Sequence, residues 1–123
     1  MTKILLIEDD PFILDIYTTK LKESGFEVIS ASEGQEAITK AKENKPDLVL
    51  LDIVLPQLTG FEILKEMREF EHLKNVPIII LSNLGQKKEI EKGLKLGAAK
   101  YLIKAHFTPS EVVEEIQHIL KIN

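Results

Sequence analysis

The chain has 123 residues, of which 44% are hydrophobic, and this is the size of one compact domain with a single core. Without cysteine it cannot form a disulfide, a thiolate nucleophile or a zinc-thiolate site, which suits a reducing compartment, and we expect the cytoplasm. A net charge of −4 argues against direct binding of nucleic acid, and no apolar run approaches the ~20 residues that a membrane span needs.

Five short apolar runs alternate with amphipathic stretches along the whole chain. Several of the runs are apolar at every position, as expected of parallel strands that are covered by helices on both faces. The runs predict strands over residues 4–7, 26–29, 48–51, 76–81 and 101–103.

The stretches between the runs carry signals of helix starts and ends. In chain order, the start signals are Asp10 before Pro11, the pair Ser32 and Gln35, the pair Thr59 and Glu62, and Thr108 before Pro109. Asp10 is better explained as a helix N-cap than as a ligand. The first helix is expected to end near Gly25, and the fourth, interrupted by Gly93, at Gly97. The predicted buried faces comprise Ile13, Ile16, Tyr17 and Leu21; Ala37, Ile38 and Ala41; Phe61, Leu64 and Met67; Ile90 and Leu94; and Val112, Ile116, Ile119 and Leu120.

Five strand-helix units with short connections predict an α/β fold, a doubly wound sheet of five parallel strands with five helices. Parallel neighbours require helical crossovers, and these are right-handed. In such folds ligands lie at the carboxyl ends of the strands, so the chemistry is expected there.

Polar side chains follow the strand ends. Glu8 and Asp9 follow the first run, Asp52 the third and Lys104 the fifth, and Ser82 follows the fourth. Clustered carboxylates repel one another unless a cation compensates them. Oxygen ligands without histidine or cysteine favour a hard ion, so the sequence predicts a Mg²⁺ site at this edge of the sheet.

In their order along the chain, the segments ILLIEDD, LVLLDIVLPQLTG, IIILS and YLIK resemble the receiver domain of two-component response regulators, of the stand-alone chemotaxis-regulator type. The resemblance extends over essentially the whole chain. It implies one receiver domain over residues 1–123 and a flavodoxin-like sheet with strand order 2-1-3-4-5.

The resemblance also implies a role for each strand-end residue. Asp52 would accept a phosphoryl group from a histidine kinase or a phosphotransfer protein, and the chain would be no enzyme beyond that transfer. The implied metal ligands are Glu8, Asp9, Asp52 and the backbone carbonyl of Val54. The other implied roles are those of Ser82 as switch hydroxyl, Lys104 as the lysine that contacts the phosphate, and Tyr101 as switch aromatic. The signal would pass to an unidentified protein, or to a homodimer, through the surface of helix 4, strand 5 and helix 5.

Three features depart from the family pattern or tune it. Ala105 follows Lys104 where proline is usual, and a cis bond there would cost about 3 kcal/mol without proline. Asn83 is larger than the small residue common after the switch hydroxyl; it either restricts access of the phosphate or adds a hydrogen bond. Val54 and Leu84 stand where the family tunes the lifetime of the phosphate, and apolar side chains there predict slow self-dephosphorylation.

Two other functions are alternatives. A receiver-like module could act through protein contacts without phosphorylation, and the departures at Asn83 and Ala105 leave that interpretation open. An enzyme or nucleotide binder on a similar fold would need a glycine-rich phosphate loop, which the sequence lacks. Phosphorylation by acetyl phosphate with Mg²⁺ discriminates the receiver from both.

Overall fold

Strand and helix alternate five times in the computed structural model, which describes residues 1–122. The strands are β1 (Lys3–Ile7), β2 (Glu27–Ala31), β3 (Leu48–Leu51), β4 (Ile78–Ser82) and β5 (Lys100–Ile103). The helices are α1 (Pro11–Glu23), α2 (Gly34–Glu43), α3 (Gly60–Met67), α4 (Lys87–Lys95) and α5 (Pro109–Leu120). Short 3₁₀ turns, Glu71–Leu73 and Lys104–His106, precede β4 and follow β5.

The five strands form one parallel sheet in the order β2-β1-β3-β4-β5. This confirms the predicted fold class and the strand order implied by the resemblance. Two strand predictions lie too early in the chain, by one residue at one end and by two at the other. The second strand continues to Ala31, which pairs with Ile7, and the fourth runs from Ile78 to Ser82.

Successive strand residues point to opposite faces, and each face has its own core. On one face Leu5, Val49 and Ile80 belong to a cluster with buried residues of α2 and α3. On the other face Ile4 and Leu50 belong to a cluster with buried residues of α1 and α5. Continuous apolarity in the central strands is therefore explained by cover on both sides.

Three of the four predicted helix starts are confirmed. The side chain of Asp10 accepts hydrogen bonds at the start of α1, and threonine and glutamate form capping boxes at the starts of α3 and α5. The predicted box of Ser32 and Gln35 is wrong. Instead Glu36 accepts a hydrogen bond from the Ser32 backbone N–H at 2.8 Å, which lowers the pKa of that carboxyl, and α2 begins at Gly34.

Most of the predicted inward residues are buried or partly buried, but two are not. Ile16 is 44% exposed and Leu94 is 45% exposed. In α4 the buried residue is Gly93, where an added Cβ would lie 2.6 Å from Ile80 Cδ1 and 3.0 Å from Tyr101 Cδ2. The glycine that interrupts the amphipathic pattern therefore lets the helix backbone approach the sheet.

Candidate functional site

Three charged side chains from distant parts of the chain meet at the carboxyl edge of the sheet. The ammonium of Lys104, just after β5, lies 2.7 Å from Asp52 Oδ2 and also contacts Glu8 Oε1. Glu8 and Asp52 are 3% and 6% exposed, so both carboxylates are largely removed from water. Parallel strands whose carboxyl ends share one rim place these residues together.

A third acid completes a candidate cation site. Ligand oxygens of Glu8, Asp9 and Asp52 lie within 4.8 Å of one another, and Asp9 is exposed whereas the other two acids are buried. Among the described residues Lys104 is the side-chain cation paired with this cluster, through Glu8 and Asp52, so three carboxylates carry excess negative charge. The donor set consists of oxygens and includes one solvent-facing member, and this fits Mg²⁺, which binds through few carboxylates and keeps several waters.

Burial shifts the pKa values of Glu8 and Lys104 in opposite directions. Burial, followed by the charge of Asp52, raises the pKa of Glu8 above its ordinary value, although the hydrogen bond from Lys104 opposes this. Burial alone would lower the pKa of Lys104. The hydrogen bonds to Asp52 and Glu8 outweigh it, so the pKa is raised and the ammonium remains charged at neutral pH.

Two short hydrogen-bonded turns fix the residues that follow the strands. The Val54 N–H donates to Asp52 Oδ1 at 3.2 Å, while the Val54 side chain is 57% exposed. The Leu84 N–H donates to Ser82 Oγ at 3.2 Å, and Ser82 itself is fully buried. Asp52 and Ser82 each accept from the residue two positions later, which holds both loops close to the rim.

The Tyr101 side chain connects β5 with the loop that precedes α4. Its hydroxyl donates a hydrogen bond to the Leu84 carbonyl. Burial, together with the charges of Glu89 and Asp52, raises the pKa of Tyr101. The tyrosine is therefore coupled to the same loop that Ser82 begins.

The structure shows how Lys104 is presented without a following proline. The Lys104–Ala105 bond is trans, and Lys104 begins a 3₁₀ turn that ends at His106. The Ala105 N–H donates to Asn83 Oδ1 at 3.0 Å. Of the two interpretations of Asn83, the structure supports the added hydrogen bond. The sequence analysis noted both residues separately but missed that they contact one another.

Gly60 is a second residue whose role the sequence analysis missed. Its N–H donates to the Ile53 carbonyl at 2.8 Å, and an added Cβ would lie 2.5 Å from the Asp52 carbonyl oxygen and 2.6 Å from Ile53 Cα. Only glycine lets α3 begin so close to the backbone of the Asp52 loop. A glycine that follows an apolar strand and a proline was the available signal.

A sheet of five parallel strands in the order β2-β1-β3-β4-β5, with an acidic cluster and a lysine at its carboxyl rim, defines a flavodoxin-like domain with a candidate cation site. The chain belongs to the response regulator receiver domain family, whose model matches residues 4–117. This confirms the resemblance seen in the sequence. Within the described residues, no helix has the length and apolar character needed to cross a membrane.

The chain is similar to regulators of several kinds. It is 39% identical over 119 residues to the alkaline phosphatase synthesis transcriptional regulatory protein PhoP of Bacillus subtilis, covering 97% of this chain and 48% of PhoP. It is 33% identical to the chemotaxis protein CheY of Thermotoga maritima, covering 97% of this chain and 98% of CheY. Several of the matched relatives are thus about twice as long as the segment that they share with this chain.

Solved structures agree with the fold. The receiver domain of sensor histidine kinase PA1611 from Pseudomonas aeruginosa superimposes with a TM-score of 0.87 at 31% identity, covering 95% of each chain. That structure contains a magnesium ion coordinated in the active-site cleft.

Proposed function

We propose that Asp52 is the phosphoacceptor of this receiver domain, taking a phosphoryl group from a histidine kinase or a phosphotransfer protein in a Mg²⁺-dependent reaction. The carrying observation is the position of Asp52: it lies 2.7 Å from the Lys104 ammonium and within 4.8 Å, ligand atom to ligand atom, of Glu8 and Asp9. Residues 1–123 would act as one domain, and a cytoplasmic location remains a prediction.

The residues divide the chemistry between them. Glu8, Asp9, Asp52 and the backbone carbonyl of Val54 would hold Mg²⁺, which when bound neutralises charge on the phosphoryl oxygens. An Asp52 oxygen attacks phosphorus, the new O–P bond forms, and the bond from phosphorus to the donor's nitrogen breaks. Lys104, which contacts Asp52, would stabilise the charge that develops on the phosphoryl oxygens.

Phosphorylation would be read through Ser82 and Tyr101. The new phosphoryl oxygens would be strong acceptors, and the buried Ser82 ends β4, the strand beside β3. A move of Ser82 Oγ toward them would release the Leu84 N–H that it now accepts from. Because the Leu84 carbonyl accepts from Tyr101, the loop and the tyrosine would move together. The surface of α4, β5 and α5 would then signal to an unidentified protein or support a homodimer.

The phosphorylated state is proposed to be long-lived. Val54 and Leu84, two residues after Asp52 and Ser82, are 57% and 38% exposed. Their side chains are apolar, so neither can hydrogen-bond a water for attack on phosphorus. Self-dephosphorylation would thus be slow, and this is the only turnover we propose.

The test is incubation with acetyl phosphate and Mg²⁺ followed by intact mass measurement. We expect the gain of one phosphoryl group, its loss when EDTA replaces Mg²⁺, and no gain in Asp52→Asn. An equal gain in Asp52→Asn would refute Asp52 as acceptor. No gain in the unsubstituted chain would favour the alternative of a receiver-like module that works without phosphorylation.

A further inference from the structure

We propose that Asn83 is a positioning residue that sets the placement of Lys104 through the backbone of Ala105. The inference rests on the proposed phosphoryl transfer, because it assigns a second residue to that same site. Asn83 does not touch Asp52 in this role; it acts on the loop that carries the lysine.

One hydrogen bond joins the loop that follows Ser82 to the loop that carries Lys104. Asn83 directly follows Ser82, and Ala105 directly follows Lys104. The Ala105 N–H donates to Asn83 Oδ1 at 3.0 Å across 22 positions of sequence. One side chain therefore links the loop of the switch hydroxyl to the loop of the lysine.

The turn that bears Lys104 has few other restraints. It comprises the three residues Lys104–His106, none of which is buried, and its closing hydrogen bond, from Phe107 N–H to the Lys104 carbonyl, is 3.3 Å long. The Lys104 ammonium must nevertheless reach two acids that lie on two other loops. The hydrogen bond from Ala105 to Asn83 limits how far the turn can shift, and therefore how far Lys104 can shift.

This hydrogen bond also depends on the residue at position 105. A proline would have no N–H to donate, so the Asn83 bond exists because residue 105 is not proline. Ordinary trans backbone and a side-chain acceptor from the neighbouring loop together hold the lysine in place.

The experiment compares Asn83→Leu, which has a similar size but no acceptor, with the unsubstituted chain. Asn83 is exposed, so the variant is expected to fold, and thermal unfolding checks this. We expect phosphorylation by acetyl phosphate to be about three- to ten-fold slower, the range of one net hydrogen bond. Asn83→Ala serves as a second variant that lacks the acceptor, and the same slowing is expected. An unchanged rate in both folded variants overturns the inference.

A double-mutant cycle with Lys104→Gln separates positioning from a general structural effect. If Asn83 acts through Lys104, Asn83→Leu should slow the already slower Lys104→Gln variant no further. A full additional slowing would show that Asn83 acts independently of the lysine, and would overturn the inference.

Failure of the inference and failure of the proposed function give different results. The amide proton resonance of Ala105, measured without acetyl phosphate, should move upfield in Asn83→Leu, which lacks the acceptor. It should not move upfield in Asn83→Asp, which retains an acceptor oxygen. An unsubstituted chain that takes no phosphoryl group refutes the function even when this amide shift appears. A chain that is phosphorylated at the same rate with and without Asn83 refutes only the positioning role.

Discussion

Helices α3 and α4 begin in the same way but are attached to the sheet very differently. In each, a glutamate three residues after the N-cap accepts from the N-cap N–H: Glu62 from Thr59 at 3.0 Å and Glu89 from Gln86 at 3.1 Å. Five of the eight residues of α3 are buried, whereas Gly93 is the buried residue of α4. Elements with few buried apolar contacts open at low free energy, so α4 is the easier of the two to displace.

This difference matches the tasks that we propose for them. The start of α3 packs against the backbone of the loop that presents Asp52, and a fixed acceptor needs a fixed neighbour. Helix α4 follows the loop that contains Leu84 and packs beside Tyr101. A loosely packed helix next to Tyr101, the tyrosine that we propose responds to phosphorylation, is suited to transmit a change.

The largest expected effect comes from matched leucine truncations in the two helices. Leu64 is fully buried in α3, and Leu64→Ala should lower the free energy of unfolding by about 2–5 kcal/mol. Leu94 in α4 is 45% exposed, and Leu94→Ala should change the free energy of unfolding by less than about 0.5 kcal/mol. Urea denaturation of both variants measures the difference. Equal losses would show that α4 is anchored as firmly as α3.

Glycine-to-alanine changes probe what each helix packs against. At Gly60 the new Cβ would meet the backbone of Asp52 and Ile53, so Gly60→Ala should cost about 1–3 kcal/mol of stability and displace the acceptor loop. At Gly93 the new Cβ would meet two side chains rather than backbone: the end of Ile80, which can shift, and the ring edge of Tyr101 at 3.0 Å. Against this cost the helix gains about 1 kcal/mol of propensity.

Stability and the rate of acetyl phosphate labelling should therefore fall together in Gly60→Ala. Gly93→Ala should stay within about 1 kcal/mol of the unsubstituted chain, since the two contributions oppose each other. A larger loss in Gly93→Ala than in Gly60→Ala would reverse the proposed ranking of the helices.

The smallest effect concerns the connection between the acceptor and α4. Burial and the charges of Glu89 and Asp52 raise the pKa of Tyr101, so its contribution to stability is complete below about pH 10 and is lost as the pH rises through the raised value. In a Tyr17→Phe background, Asp52→Asn should lower the pKa of Tyr101, because one negative charge is removed. Absorbance titration of the tyrosinate measures it, with Glu89→Gln as the matched control in α4. An unchanged pKa of Tyr101 in Asp52→Asn would show that the charge of Asp52 does not act on the tyrosine.

The fold could be predicted from the sequence because several independent signals, the apolar runs and the polar residues that follow them, indicated the same architecture. Each central strand contains a run of four apolar residues, and Glu8, Asp52 and Ser82 directly follow those runs. The start of α2 was missed because Glu36, one position beyond the predicted Gln35, makes the contact. The exposure of Leu94 was missed because the amphipathic pattern does not show that Gly93 faces the sheet.

The composition of the site was predictable, but its internal contacts were not. Strand order brings Glu8, Asp52 and Lys104 to one rim, and the parallel topology alone implies this. Which acid the lysine contacts, and that Asn83 accepts from Ala105, depends on loop geometry with no periodic signal in sequence. These contacts between separate loops require coordinates.

The ion pair between Lys104 and Glu8 joins residues 96 positions apart. The complete site therefore needs the chain from Glu8 to Lys104, and during synthesis the acids emerge long before their lysine. If Asp52 is the acceptor as proposed, a nascent polypeptide would stay unresponsive to phosphodonors until the fifth strand had joined, so competence to signal would report that the sheet is complete.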